Sequence, residues 1–407
     1  MKEKLVLIGN GMAGMRTVDE LLKLSPDKFE ITVFGAEPHG NYNRIMLSPV
    51  LAGDKKLNEI IIHDLQWYED NNISLYIGKT ITKIDHVKRQ VHADDGTIAE
   101  FDRLIIATGS VPVMLDIPGK ELEGVISFRH INDVKVMIET AKTHKNAVII
   151  GGGLLGLEAA NGLIKQGMNV SVVHRNNTLM SQQLDQEAAD LLRSKLEESG
   201  MNFLLDYHAE ALLGEKRVKK VKFRDGSEVK ADLVVMAVGV RPNIGLAKIS
   251  GIQCDRGILV DDNLQTLSAG IYAVGECVQH RDKTFGLVAP LFEQAKVLAN
   301  HLVNNGSTSF KSGATSTQLK VTGINLFSAG DFIGNETTEA MIYKDFARHI
   351  YKKLVIKHNK IIGIVLYGDT NDGLWYFSLL KEQQDISEIR ENIIFGQHQI
   401  ETEAQIA

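Results

Sequence analysis

Short apolar runs alternate with longer segments of helical periodicity along most of the chain. Between the first two runs, apolar residues from Met12 to Leu22 recur at intervals of three and four before Pro26, which predicts an amphipathic helix. This alternation is typical of parallel α/β layers. We predict strands at residues 4–8, 30–34, 104–107, 147–150, 170–174, 233–238 and 271–274.

A strand followed by a glycine-rich turn and a helix occurs twice. In a G-x-G-x-x-G turn, the first glycine permits the tight turn, the second lets backbone approach a pyrophosphate, and the third lets the helix pack on the strand. The N-terminus of the helix then offers free N–H groups and a partial positive charge to the phosphates. The context of strand, turn and helix makes the motif specific, so we predict two dinucleotide sites. The two turns read Gly9-Asn10-Gly11-Met12-Ala13-Gly14 and Gly151-Gly152-Gly153-Leu154-Leu155-Gly156.

The residues after the second strand of each repeat are candidates for contacts to a ribose. Glu37 is either a ribose ligand or a surface carboxylate. The second repeat ends its strand in His174-Arg175 instead of an acid. An acid would accept from the ribose 2′-hydroxyl of NADH, whereas an arginine would pair with the 2′-phosphate of NADPH. Arg175 is equally compatible with a solvated loop, so the choice between NADH and NADPH stays open.

Two further apolar strands end in a small residue and a glycine. These strands, at residues 104–107 and 233–238, run into the sequences Ala107-Thr108-Gly109 and Ala237-Val238-Gly239. We expect each to return the chain between the two dinucleotide-binding units at a point where a bulky side chain is not tolerated.

Length and charge narrow the class of protein. The chain has 407 residues, which suggests two or three domains. A net charge of −6 argues against nucleic-acid binding. We find no apolar run near the roughly 18 residues of a membrane helix and no signal peptide at the N-terminus. We therefore expect a cytoplasmic protein without a membrane partner, and a homodimer stays open.

The chain has two cysteines, Cys254 and Cys277, and no C-x-x-C motif. Two cysteines exclude a Cys-ligated iron–sulfur cluster or zinc site within this chain, and the histidines show no metal-binding spacing, so we expect no metal. The absent motif also removes the redox-active dithiol of disulfide reductases. Cys277 is expected to be a small buried hydrophobe.

Several segments carry a family resemblance, namely Asn41-Tyr42-Asn43-Arg44-Ile45-Met46-Leu47-Ser48, Thr178-Leu179-Met180 with Gln183-Leu184-Asp185, Ile271-Tyr272-Ala273-Val274-Gly275-Glu276-Cys277, Gly286-Leu287-Val288-Ala289-Pro290-Leu291, Lys320-Val321-Thr322-Gly323 and Val365-Leu366-Tyr367-Gly368-Asp369-Thr370. They resemble segments of the pyridine nucleotide-disulfide reductase superfamily. Within it, the chain is similar to the FAD-dependent N-terminal part of the NAD(P)H nitrite reductase large subunit and to NADH:rubredoxin reductases. In the segment around residue 276, the usual aspartate of the A-x-G-D motif is replaced by Glu276.

The resemblance implies an α/β fold with two Rossmann-type dinucleotide-binding domains, each of three ββα layers, plus a small α+β C-terminal domain. Residues 1–114 and 241–308 would form the FAD-binding domain, 115–240 the NAD(P)H-binding domain and 315–397 the C-terminal domain. Pro290 is predicted to be the first residue of a helix, where its missing N–H costs nothing. If that N-terminus faces the flavin, its dipole stabilises the reduced, anionic form.

Motifs and resemblance together predict the cofactor contacts. FAD would contact Gly9, Gly11, Met12, Ala13, Gly14, Glu37, Arg44, Ser48, Ile81, Ala107, Thr108, Gly109, Gly275, Glu276 and Pro290. NADH or NADPH would contact Gly151, Gly153, Leu154, Leu155, Gly156, Glu158, His174, Arg175, Val238 and Gly239.

The resemblance implies hydride transfer from nicotinamide to flavin, followed by electron release to a redox protein. The acceptor would be an iron–sulfur or sirohaem component of a nitrite or nitrate reductase, or a rubredoxin-like carrier. No side-chain acid or base is obligatory in this chemistry, so no catalytic residue is assigned. Glu158 either lies near the nicotinamide or is a helix-surface carboxylate. With no cysteines for an iron–sulfur module, the chain is expected to be the electron-input unit of such a system.

Two alternatives remain from the sequence. One is an NAD(P)H oxidase that uses oxygen, although oxidases of the family generally carry a cysteine near the flavin, in the segment that spans residues 40–48 here. The other is a flavin-binding sensor or assembly factor with slow turnover.

Overall fold

The computed structural model describes residues 2–304, 306, 308–321 and 323–400; Thr322 of the predicted C-terminal motif lies outside them. Contacts group the chain into two compact units. The first comprises residues up to Val50, Asp54–Val113 and Val240–Ser312, and the second comprises Leu51–Gly53, Met114–Gly239 and the chain from Gly313 onward. The predicted domain limits stay a prediction.

The helices and strands fall into four stretches of the chain. The first contains β1 (Glu3–Ile8), α1 (Met12–Leu24), β2 (Phe29–Gly35), β3 (Asn41–Tyr42), α2 (Leu47–Leu51), β4 (Ile61–His63), α3 (Leu65–Asp70), β5 (Ser74–Ile77), β6 (Ile81–Asp85), β7 (Gln90–Ala93), β8 (Ile98–Glu100), β9 (Arg103–Ile106) and β10 (Ser110–Pro112). The second contains β11 (Val125–Ser127), α4 (Ile131–Thr143), β12 (Asn146–Ile150), α5 (Leu154–Lys165), β13 (Asn169–His174), α6 (Gln186–Glu198), β14 (Asn202–Leu205), β15 (Ala209–Gly214), β16 (Val218–Phe223), β17 (Glu228–Lys230) and β18 (Leu233–Met236). The third contains β19 (Val240–Pro242), α7 (Gly245–Ile249), β20 (Ile258–Val260), β21 (Ile271–Ala273), β22 (Val278–His280), β23 (Lys283–Thr284) and α8 (Val288–Asn304). The fourth contains β24 (Ser316–Val321), β25 (Ile324–Gly330), β26 (Glu339–Asp345), β27 (Ile350–Lys357), β28 (Lys360–Tyr367) and α9 (Gly373–Glu382).

A five-stranded parallel sheet, in the order β21-β9-β1-β2-β5, forms the centre of the first unit. Successive side chains of a strand point to opposite faces of its sheet. Leu5 and Leu7 of β1 pack with α1 and α8 on one face. Val6 and Ile8 pack on the other face with the antiparallel sheet β6-β7-β8. The result is a three-layer ββα arrangement.

The second unit repeats this arrangement around the parallel sheet β11-β18-β12-β13-β14. Val148 and Ile150 of β12 pack with the antiparallel sheet β15-β16-β17. Helix α5 packs along β12 and β13 and buries Leu157 and Leu163.

The C-terminal part of the second unit is an antiparallel sheet in the order β24-β25-β28-β27-β26, covered by α9. It is joined to the residues before α6 by a buried polar contact. Asp185, the N-cap of α6, accepts from the Tyr351 hydroxyl at 2.7 Å and lies 3.2 Å from Lys353 Nζ. The predicted fold class, two Rossmann-type layers plus a small α+β domain, is confirmed.

Two predicted boundaries differ from the structure by two residues. Helix α8 begins at Val288, so Pro290 is its third residue and not its first; proline is still tolerated because the first turn of a helix has no internal acceptor for its N–H groups. Strand β18 ends at Met236 and not at Val238, because the chain leaves the sheet before Gly239, whose φ is +118°. In the described part of the chain, none of the helices combines the length and the apolar character needed to cross a membrane.

Candidate dinucleotide-binding sites

The three glycines of the first turn are required for different reasons. Gly9 has φ +116°, and a Cβ there would lie 2.1 Å from the carbonyl oxygen of Ala107. A Cβ at Gly14 would lie 2.7 Å from the carbonyl oxygen of Gly9. At Gly11 a Cβ would meet no atom within 4 Å. The first and third glycines therefore serve the fold, while the second borders open space that suits a pyrophosphate.

The second turn has the same geometry. Gly151 has φ +128°, and a Cβ there would lie 2.2 Å from the carbonyl oxygen of Ala237. A Cβ at Gly156 would lie 2.0 Å from the carbonyl oxygen of Gly151, and one at Gly153 would meet nothing within 4 Å. The two small residues predicted to lie where bulk is excluded, Ala107 and Ala237, thus play the same part in the two repeats.

Helices α1 and α5 both begin without a capping side chain in the described structure. Their N-caps are Gly11, with φ −88° and ψ 178°, and Gly153, with φ −87° and ψ 177°. Neither helix has an acidic residue in its first turn. The first N–H groups of a helix have no internal acceptor, and the dipole favours an anion there. Both helix ends therefore fit a dinucleotide pyrophosphate.

Glu37 lies between two residues of the following segment. The Tyr42 hydroxyl donates to its carboxylate at 2.9 Å, and Arg44 Nη2 lies 2.9 Å from Glu37 Oε1. The Arg44 guanidinium also lies over the Tyr42 ring, 5.0 Å from its centroid. The carboxylate is thereby fixed after β2, and the roles of Glu37 and Arg44 as FAD contacts stay predictions.

Two strand ends meet near the first turn. A Cβ at Gly275, where φ is +98°, would lie 3.0 Å from Ala13 Cβ. The neighbouring Glu276 accepts from the Ser110 hydroxyl at 2.8 Å. The loop from Ala107 to Gly109 is held by Asn243, which accepts from Thr108 Oγ1 at 2.7 Å and donates to the Gly109 carbonyl at 2.9 Å. These contacts bring the predicted FAD residues of three separate segments to the start of α1.

The other predicted FAD contacts are buried elsewhere in the first unit. Ser48 lies in α2, Ile81 packs in the core between the two sheets, and Pro290 is buried in the first turn of α8. Cys277 is fully buried in that same core, and burial raises the pKa of its thiol to about 11. This agrees with the expectation of a small buried hydrophobe.

His174 has a defined partner in the second site. Its Nδ1 accepts from the Gly152 N–H at 3.2 Å. Burial lowers the pKa of His174, which favours the neutral ring that this bond requires. Arg175 is exposed, Glu158 is partly buried on α5, and Val238 is 36% exposed just before Gly239. Their contacts to NAD(P)H stay predictions.

Several residues at these sites were not predicted, namely Asn243, Gln294 and Tyr68. Gln294 is fully buried, and its Oε1 accepts from the Gly275 N–H at 2.8 Å. Tyr68 donates to Asn10 Oδ1 at 2.7 Å. No spacing in the sequence connects such distant partners. Among the described residues, no group of three or more His, Cys, Asp or Glu side chains is placed to hold a metal ion.

Comparison with known proteins identifies the family. The model for pyridine nucleotide-disulphide oxidoreductases matches residues 3–297, and the model for the rubredoxin NAD+ reductase C-terminal domain matches residues 316–384. The chain belongs to the pyridine nucleotide-disulphide oxidoreductase family. As a member of this family it is an oxidoreductase that uses FAD and NAD(P)H, so the predicted enzyme class and cofactors are confirmed.

Similar proteins include two from Bacillus subtilis. The chain is 50% identical to a nitrite reductase (NAD(P)H) over 95% of its own length and 48% of that protein. It is 45% identical to an assimilatory nitrate reductase electron transfer subunit over 97% of its own length and 51% of that protein. The chain therefore spans about half the length of these curated relatives. The crystal structure of NADH:rubredoxin oxidoreductase from Clostridium acetobutylicum is also similar, with a TM-score of 0.81 and 26% sequence identity. The match covers 96% of the chain described here and 97% of the Clostridium chain.

Proposed function

We propose that this chain is the electron-input unit of a redox system. It takes a hydride from NADH or NADPH and delivers electrons to a redox protein. The proposed acceptor is an iron–sulfur or sirohaem component of a nitrite or nitrate reductase, or a rubredoxin-like carrier. The likeness to a nitrite reductase, to a nitrate reductase electron transfer subunit and to a rubredoxin NAD+ reductase C-terminal domain supports a redox protein as the acceptor. The cytoplasmic location and a homodimer belong to this proposal as well.

The observation that carries the proposal is the pair of matching turns. Gly11 and Gly153 each border open space at the uncapped start of a helix, on two separate parallel sheets. One chain with two such sites suits a reaction between two dinucleotides. Bound FAD supplies the change from two-electron to one-electron chemistry.

The residues of this chain would bind and orient the two cofactors. The N-termini of α1 and α5 would hold the two pyrophosphates. The N-terminus of α8, with Pro290 in its first turn, would place a positive dipole end beside the flavin. Cys254 forms no disulfide with Cys277, and burial raises the pKa of both thiols. Electron exit to a protein partner therefore agrees better with these residues than dithiol chemistry does.

The proposal is tested with the purified chain loaded with FAD. We expect NADH or NADPH to reduce ferricyanide rapidly, and oxygen to be consumed far more slowly in the same buffer. Oxygen uptake equal to ferricyanide reduction would favour an oxidase, and little turnover with either acceptor would favour a sensor. A pull-down from nitrate-grown cells should then recover a partner with an iron–sulfur or sirohaem absorbance spectrum.

A further inference from the structure

One carbonyl group is held in the same way in both glycine turns. It belongs to the residue between the first two glycines, Asn10 in one turn and Gly152 in the other. Asn41 Nδ2 donates to the Asn10 carbonyl at 3.0 Å. The backbone N–H of Met180 donates to the Gly152 carbonyl at 3.0 Å. Each donor comes from the segment after the second strand of its own repeat, β2 or β13.

The orientation of this carbonyl matters for an anion site. A glycine turn binds phosphate because its N–H groups face the anion. A carbonyl oxygen turned toward the same space would repel the phosphate and displace a donor. A hydrogen bond that fixes the carbonyl elsewhere therefore holds the turn in its binding form before the ligand arrives.

Asn41 is itself held in place by buried neighbours. It is 1% exposed, and its Oδ1 lies 3.3 Å from His63 Nδ1. His63 Nε2 lies 3.1 Å from Asp19 Oδ1. The Tyr68 hydroxyl accepts from the Asn41 N–H at 3.2 Å and donates to Asn10 Oδ1 at 2.7 Å. These five residues, which we call the Asn41 network, fix both the side chain and the carbonyl of Asn10.

We propose that Asn41 and Tyr68 are positioning residues for FAD, holding the first glycine turn in the form that receives the pyrophosphate. This rests on the proposed binding of FAD at that turn. The second turn uses a backbone donor for the same purpose, at Met180, whose φ of +49° is uncommon for a residue with a side chain. Substitutions of Asn41 or Tyr68 should therefore weaken the binding of FAD and leave the binding of NAD(P)H unchanged.

The test measures the FAD dissociation constant of the apoprotein by flavin fluorescence. Asn41→Asp keeps the shape of the side chain but replaces the donating amide with an oxygen that faces the Asn10 carbonyl. We expect the constant to rise about tenfold or more, as for the loss of a buried hydrogen bond with added repulsion. Tyr68→Phe removes one hydroxyl and should raise the constant several-fold. At saturating FAD, both variants should keep the wild-type KM for NAD(P)H, because the second turn is held by Met180 and not by these residues.

Tyr376→Phe is the matched control. Tyr376 is fully buried, and its hydroxyl donates to the Ile393 carbonyl at 2.7 Å in the C-terminal part of the second unit. This variant should lower the unfolding temperature without changing the FAD constant. Wild-type FAD constants in Asn41→Asp and Tyr68→Phe would overturn the proposal, as would FAD loss in all three variants in proportion to their lost stability. A wild-type chain that binds no FAD would instead overturn the proposed function.

Discussion

Glycines of one motif respond to different physical constraints. A valine at Gly11 or Gly153 meets no neighbouring atom at its Cβ and needs no positive φ, so the fold tolerates it while the space for a pyrophosphate is filled. We expect Gly11→Val to lose FAD, with a dissociation constant at least about tenfold higher. Gly153→Val should raise the KM for NAD(P)H by a similar factor and keep FAD bound. Flavin absorbance and steady-state kinetics separate the two effects.

Gly11→Val and Gly153→Val serve as controls for each other, and Gly9→Ala provides a third comparison. The Cβ of an alanine at Gly9 would lie 2.1 Å from the Ala107 carbonyl oxygen. The alanine would also have to adopt the φ of +116° found at Gly9, which is unfavourable for a residue with a side chain. It should therefore destabilise the fold by at least about 2 kcal/mol, seen as a lower unfolding temperature even without cofactor. FAD loss in Gly153→Val with intact NAD(P)H binding would mean that the order of the two sites is reversed.

Cys277 is the residue at which thiol chemistry would be detected. Its thiol is fully buried and its pKa is raised to about 11 by that burial, so it stays protonated at neutral pH and is a poor nucleophile. We expect reductive titration of wild type and of Cys277→Ala to consume the same number of electrons, with nearly unchanged ferricyanide turnover and a stability loss of about 1 kcal/mol. A variant that takes up two electrons fewer would show that the cysteine is redox-active.

At the scale of residues, the sequence predicted the glycines of the turns but not the residues that hold the turns by hydrogen bonds. The spacing of Gly9, Gly11 and Gly14 carries a geometric requirement that any such turn must meet. Asn41 and Tyr68 have no comparable signature, because their partners are set by how loops fold back on the turn. Glu37 was predicted only in part. The sequence predicted its position after β2, but its contacts with Tyr42 and Arg44 are known only from the structure.

Helix α8 and the turn after β21 act together through one side chain. Gln294 on α8 is fully buried and accepts from the Gly275 N–H at 2.8 Å. Gln294→Leu would leave that buried N–H without its acceptor, at a cost of about 1–3 kcal/mol. Because Gly275 lies against Ala13 at the start of α1, we also expect FAD to dissociate several times faster. Stopped-flow flavin fluorescence after dilution measures the rate.

Gln279→Leu provides the control for this effect. Gln279 is also buried, and its Oε1 accepts from the backbone N–H groups of Arg256 and Gly257. The Gln279 amide also donates to Asp255 and to the Arg281 carbonyl, so its loss should lower the free energy of unfolding at least as much as Gln294→Leu but leave FAD dissociation unchanged. Equal FAD release from both variants would indicate a general loss of stability instead of a specific effect on the Gly275 turn.

The second unit depends on one buried carboxylate that joins two parts of the chain far apart in sequence. Asp185 caps α6 at the Ala188 N–H and contacts Tyr351 and Lys353 of β27. Asp185→Ala would leave the nearly buried Lys353 ammonium, 12% exposed, without its partner. We expect the free energy of unfolding to fall by about 3–5 kcal/mol, measured by urea denaturation.

Asp190→Ala on the same helix is the appropriate comparison. The Asp190 side chain is 46% exposed and faces Arg193 at 3.6 Å, so its removal should change stability by no more than about 0.5 kcal/mol. FAD content should be unaffected in both variants because the first glycine turn belongs to the other compact unit. An equally small effect of Asp185→Ala would show that the contact with β27 contributes little to the stability of the second unit.

The sequence by itself determined seven of the strands and the two glycine turns, and its resemblance to a known family indicated the class of protein. The strands and the turns follow from local rules: the period of apolar residues, the need for positive φ at Gly9 and Gly151, and the uncapped helix starts. Only the tertiary structure decided which polar groups support the turns. Asn41, Tyr68 and Gln294 bond to partners between 19 and 58 residues away along the chain. Such pairs depend on the three-dimensional packing of loops and helices, because a buried donor or acceptor must find a partner wherever the fold provides one.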